Sequence, residues 1–170
     1  MPSAASIPQS TSARQACTGI DVALSFAGAG VAGMLWWADR TRQDVPCSAD
    51  GGCGIVAASP WSHVNLFVWQ HVPVALLGLV GYLFLLTLSM LRLGWDGDLV
   101  QRRLHGLVWL VTAGGTAYSW YLQWIAHYAI GAYCPWCRTS AFIMTALFAT
   151  ATAEWWIMHR RAGGRRLANE

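Results

Sequence analysis

The chain has no lysine; all eleven of its cationic side chains are arginines, set against eight Asp and Glu. Charged residues make up only 11% of it, where a soluble domain carries about 25%. It shows no internal repeat and no apolar–polar alternation of the kind a membrane β-barrel needs. At 170 residues it has no length for a second domain beside one compact bundle. These absences exclude an ordinary soluble domain. What is present points the same way: 55% of the residues are hydrophobic and eleven are Trp. The fold class expected is an all-α integral membrane protein, a four-transmembrane-helix bundle with an extracytoplasmic loop between helices 1 and 2.

Four apolar spans carry that reading. The first runs from about Val22 to Ala38, and the second, Val72 to Leu91, holds 20 residues without a charge. A 34-residue uncharged stretch, Leu104 to Cys137, is too long for one span. It predicts a third helix from about Leu104 to His127 and a short turn near Ala129 to Ala132. The fourth helix runs from Pro135 to about Trp156. At about 1.5 Å per residue, some 20 residues cross the roughly 30 Å hydrocarbon core. Trp36, Trp37, Trp155 and Trp156 suit the membrane interfaces. The small-residue run from Ala27 to Gly33 suits close helix packing.

The arginines orient the bundle. Arg14, Arg92, Arg102, Arg103, Arg160, Arg161, Arg165 and Arg166 fall on one side. Arg40 and Arg42, offset by Asp39, Asp44 and Asp50, fall on the other. The positive-inside rule then places both termini in the cytoplasm and the first and third connections outside, in a multi-pass protein of the cell (inner) membrane. Residues 1–16, rich in Ser, Ala, Gln and Pro, are expected to be a disordered cytoplasmic tail. Residues 17–158 form the four-helix membrane domain, and 159–170 a basic cytoplasmic tail. The polar lead with its single Arg14 makes a poor signal-peptide start, so helix 1 is expected to be retained.

Only five cysteines occur, and the topology divides them. Cys47 and Cys53 fall in the first outer connection, and Cys134 and Cys137 at the outer mouth of the fourth helix. Cys17, near the inner end of the first helix, is a bystander. Cys134-Pro135-Trp136-Cys137 opens a helix, where unpaired N–H groups and the dipole favour a thiolate. Pro135 fits the first helical turn, and the i, i+3 spacing puts both sulfurs on one face.

Three readings of the two pairs stand at this stage. As structural disulfides they would add little, since closing the short Cys47–Cys53 loop contributes only about 2 kcal/mol. As a four-thiolate zinc site they would need free thiolates in an oxidising compartment, and no His flanks either pair at ligand spacing. As a redox relay, the loop pair is exposed and readily exchanged, and the helix-start pair hands its electrons to a lipid-soluble acceptor. A quinone suits that role, since it needs a largely apolar cleft with few polar contacts. Tyr118, Trp120, Tyr121 and Trp124 lie at the right depth, as cleft or as bundle packing. Arg138, beside Cys137, either favours its thiolate or snorkels to the headgroups. The five His residues are assigned no role.

Together these residues resemble the vitamin K epoxide reductase family, including its bacterial quinone-linked thiol oxidases. The likeness runs from Cys47 to Ala146. It takes in the loop pair, Ser59 and Trp61, the Pro73 to Tyr82 segment, Ser119, Tyr121, Leu122 and Trp124, and the Cys134–Cys137 motif. Disulfide-forming quinone reductases of bacteria share the chemistry, but their C-x-x-C precedes the wider pair, and here it comes last.

The resemblance implies an oxidoreductase with Cys47, Cys53, Cys134 and Cys137 as catalytic residues. Cys47 would form the mixed disulfide with a thioredoxin-like (DsbA-like) partner. Cys53 would resolve it and exchange with Cys134, and Cys137 would face the quinone. Ser59, Trp61, Tyr121 and Leu122 would contact that quinone, of menaquinone, ubiquinone or vitamin K type. Animal members that open the epoxide hold its oxygens with an Asn and a Tyr at places aligning with Val74 and Ala141. Neither of these donates a hydrogen bond, so quinone reduction is expected ahead of the alternative, epoxide reduction. The partner is expected to be a separate chain, with no nucleic acid and no metal. A rival of another class is a non-enzymatic membrane scaffold pinned by two disulfides.

Overall fold

The computed structural model describes residues 9–41, 43, 52–66, 69–94 and 97–167. Cys47 lies outside them, with the rest of residues 44–51 of the connection between the first two long helices. Four long helices, α1 (Gln9–Thr41), α3 (Val74–Gly94), α4 (Asp98–Ile125) and α5 (Pro135–Leu167), dominate the fold. A short helix α2 (Gly52–Ala57), a 3₁₀ turn (Pro60–Ser62) and a two-stranded hairpin (β1, His63–Leu66; β2, Trp69–Pro73) connect α1 to α3. Of the helices, α1 from Ala16 and α3 are long and apolar enough to cross a membrane.

Both terminal helices outrun the sequence expectation. The first begins at Gln9, so half of the N-terminal tail expected to be disordered is helical, and α5 continues through the basic tail to Leu167. The local sequence accounts for the first extension: after Pro8 no further proline intervenes, and Ala13, Arg14, Gln15 and Ala16 are good helix formers. The hairpin was not anticipated. Val72, expected to open the second span, instead pairs with Val64, and His63 pairs with Pro73, with a bulge between Val64 and Leu66. Its strands are short, and no Gly-containing turn dipeptide marks the reversal.

Packing follows the small-residue run. A Cβ on Gly28 would enter the Tyr82 ring, and one on Gly33 or Gly78 would already stand 3.7 Å from the Leu79 side chain or the Ala32 methyl. As numbers rise on α1 they fall on α3, so the two helices are antiparallel. The same test sets α4 antiparallel to α5: Trp109 Nε1 donates to Thr152 Oγ1, and Trp120 Nε1 donates to Thr145 Oγ1. Tyr82, Leu85, Val108 and Leu147, each 1% exposed, form the middle of the core.

The outside of the bundle is apolar, with Phe26, Val80, Leu83, Leu110 and Phe142 exposed, while charge lies inside. Asp21 of α1, Arg92 of α3, His105 of α4 and Glu154 of α5 are all at most 7% exposed. Arg92 Nη2 donates to Glu154 Oε2, and its Nη1 lies 3.6 Å from Asp21 Oδ2. His105 Nδ1 lies 3.2 Å from the same Glu154 oxygen, and Thr150 Oγ1 donates to Asp21 Oδ1 at 2.5 Å. Each long helix thus contributes one ionisable residue to a single cluster. Arg92, counted above among the cytoplasmic surface charges, is a buried tie between helices. An apolar exterior around an ionic interior is the distribution a bilayer selects.

Candidate active site

α5 starts where the sequence places it, and Cys134 is its cap. The Cys137 N–H donates to Cys134 Sγ at 3.3 Å, and the Arg138 N–H donates to the Cys134 carbonyl at 3.1 Å. Upstream, α4 runs into a π-helical turn (Ala126–Ile130) that ends on Gly131 at φ 68°, the left-handed conformation glycine tolerates. Ala132 N–H then donates to the Ala126 carbonyl, and the reversed chain delivers Tyr133 and Cys134 to the head of α5.

The short helix α2 packs against this reversal. Cys53, its second residue, and Cys134 are both 4% exposed. They line one cavity of about 1250 Å³ together with Cys137, between α1, α2, α3, α4 and α5. Cys53 is disulfide-bonded, whereas Cys17, Cys134 and Cys137 are free thiols. Cys17 does not line the cavity.

The Cys134 thiol is lowered from the ordinary cysteine range to about 7. The largest cause is a hydrogen bond from Cys137, opposed by burial and helped by the N–H groups of Cys137 and Trp136 at the helix start. Cys134 is therefore the thiolate of the reduced pair, with Cys137 as its donor. Arg138 takes no part. Its guanidinium lies 5.5 Å from the Tyr133 ring centre and 5.6 Å from that of Phe142, and Nη1 donates to Tyr133 Oη. Of the two roles open to Arg138, the structure shows it laid on exposed aromatic rings.

Three of the four expected ligand contacts, Ser59, Trp61 and Leu122, line the cavity. Ser59 Oγ donates to the Val56 carbonyl at 2.7 Å, which holds the turn before Trp61. Tyr121 is not among the lining residues and is 51% exposed. The lining of α4 centres on Val111, Gly115, Tyr118, Ser119, Leu122 and Ile125, at the i, i+3, i+4 spacing of one helical face, with Gln123 at its edge. Tyr121, about 100° round from Leu122, falls off it. Trp120 and Trp124 also face away, Trp120 packing edge-on to Phe142 and Trp124 against Tyr128. Of the aromatic group only Tyr118 belongs to the cavity. The primary structure offers Tyr118 only as one of four candidate aromatics, and does not mark Ser140. Counting one turn from Leu122 and from Cys137 would have found both.

A half-open, mostly apolar cavity holding a cysteine pair with one acidic thiol, Cys134, and a third cysteine suits thiol–disulfide exchange with a hydrophobic acceptor. The model of the vitamin K epoxide reductase family matches residues 20–152, a stretch that contains the ionic cluster's Asp21 and every cavity residue described above. With most of its length matched, the chain belongs to the vitamin K epoxide reductase family, a family of membrane-embedded oxidoreductases.

Proposed function

We propose that the protein is a quinone-dependent thiol oxidase that supports disulfide formation in a thioredoxin-like partner. The observation that carries the reading is the meeting of Cys53, Cys134 and Cys137 in one apolar cavity. The four long helices cross the membrane with both termini in the cytoplasm, and the cysteine end faces outward.

The quinone is the second substrate, accepting two electrons and two protons. The residues present fit it: the cavity is large enough for a ring and part of an isoprenoid tail, and its walls are mostly apolar. Cys137, Ser59, Trp61, Leu122 and Tyr118 would line its seat. The partner's thiolate attacks Cys47 of the outer disulfide, and Cys53 leaves as a thiolate. Cys53 then attacks Cys134 of the oxidised inner pair, freeing Cys137, and the partner's second thiol resolves the mixed disulfide at Cys47. Once the outer pair has closed again, Cys134 and Cys137 are left as a dithiol. Its two electrons pass to the quinone as Cys134 and Cys137 rejoin. The balance is one dithiol and one quinone giving one disulfide and one quinol. Val74, which lines the cavity, and Ala141, which is fully buried, offer no side-chain hydrogen bond, and this favours quinone over epoxide as substrate.

The test is thiol-dependent quinone reduction by the purified protein, followed by quinone absorbance. Turnover should vanish in Cys134→Ala and in Cys137→Ala. Cys47→Ala should lose oxidation of the protein partner while keeping turnover driven by dithiothreitol. No turnover with either a menaquinone or a ubiquinone, from folded protein, would sink the reading in favour of a disulfide-pinned scaffold.

A further inference from the structure

We propose that Ser140 donates the hydrogen bond that receives a carbonyl oxygen of the quinone, and that Tyr82 is the positioning residue that holds Ser140 for it. The inference rests on the quinone reading above and deepens it by naming the polar contact.

Ser140 lines the cavity one turn below Cys137 on the same face of α5. At i, i+3 the two β-carbons are roughly 5–6 Å apart, a span that lets one ring meet both a sulfur and a hydroxyl. Tyr82, 1% exposed, reaches this point from α3. Its Oη donates to the Ser140 carbonyl at 2.8 Å and lies 2.9 Å from Ser140 Oγ. The phenol has one proton for these two oxygens; the carbonyl can only accept, whereas the hydroxyl can accept or donate. When the phenol proton turns to Ser140 Oγ, the hydroxyl is held by Tyr82 and its own proton is released toward a ligand; with the phenol proton on the carbonyl, the serine proton rests on Tyr82 Oη. The serines on the opposite wall are spent. Ser59 Oγ donates to the Val56 carbonyl, and Ser62 Oγ bonds the Ala57 and Ser59 carbonyls at 2.6 and 2.8 Å.

The placement of Tyr82 is itself built in. Its ring occupies the space where a side chain at position 28 would stand, and Gly28 leaves that space open. Two helices are thus shaped to bring one phenol to one serine beside the cysteine pair. A donor there gains strength as negative charge develops on a quinone oxygen during reduction, so it stabilises the transition state more than the bound ground state.

The experiment uses the full-length protein in detergent, with dithiothreitol as donor and menadione or a short-chain ubiquinone as acceptor. Ser140→Ala should lower kcat/KM for the quinone by about 10- to 100-fold, with kcat carrying much of the loss. Ser140→Thr, which keeps the hydroxyl, should recover most of it. Tyr82→Phe should lose a smaller factor. The quinone-free half-reaction, reduction of the oxidised Cys134–Cys137 pair by dithiothreitol, reports on the fold and on the thiols alone. A selective loss in the quinone step supports the proposal. Wild-type-like quinone kinetics in Ser140→Ala, a Thr variant no better than Ala, or a parallel loss in both half-reactions overturns it. Absence of quinone reduction in the wild-type protein would instead remove the functional reading, and this inference with it.

Discussion

Gly52 rests against the main chain of Tyr133, so closely that a Cβ on Gly52 would collide with the Tyr133 carbonyl oxygen. The residues that follow them are Cys53 and Cys134. The missing side chain is therefore what lets the outer cysteine approach the inner pair, and the contact is between two backbones that cannot yield as a side chain tip could.

Gly52→Ala should separate the two halves of the relay. We expect oxidation of a thioredoxin-like partner to fall on the order of tenfold or more, because small displacements of reacting groups are costly. Turnover driven by dithiothreitol, which can reach the inner pair directly, should fall far less. Equal losses with both donors would show that the contact matters only for folding.

The acidity of Cys134 sets a pH profile. Alkylation of the reduced pair, measured in a Cys17→Ala background, should be slow where the thiol is protonated, reach half its maximum near pH 7, and plateau above. Because Cys137 is the main cause of the lowering, Cys137→Ala should move the midpoint up, toward the ordinary value of about 8.5. A midpoint unmoved by that change would assign the lowering to the helix start instead.

Arg138→Gln tests the neighbour that the primary structure puts forward. With its guanidinium over Tyr133 and Phe142, its loss should leave the Cys134 midpoint in place. A clear upward shift in the same alkylation assay would return Arg138 to the thiolate.

Arg92→Leu should be among the most damaging changes away from the cysteines. It strands Asp21 and Glu154 as buried carboxylates in the bundle, a situation that costs about 3–5 kcal/mol. The measurement is the thermal midpoint in detergent. Glu154→Gln, which leaves Arg92 facing Asp21, should cost less. A midpoint for Arg92→Leu equal to wild type would show that water already reaches the cluster.

The primary structure by itself determined the membrane character, the helix start at Pro135, the packing run Ala27 to Gly33 and the cysteine pair, along with the family. All of these are local. Hydropathy, a proline in a first turn, glycine spacing and a C-x-x-C motif act within a few residues, so they can be read along the chain. The hairpin escaped because its strands are short and its turn is unmarked, and Tyr121 was chosen over Tyr118 because the rotation of α4 about its axis is set by its neighbours. Only the tertiary structure decided that Asp21, Arg92, His105 and Glu154 share one interior site, that Tyr82 meets Ser140, and that Gly52 meets Tyr133. In each of these the partners are tens of residues apart and on different elements. Their meeting depends on how helices rotate and close on one another, which no window of sequence records.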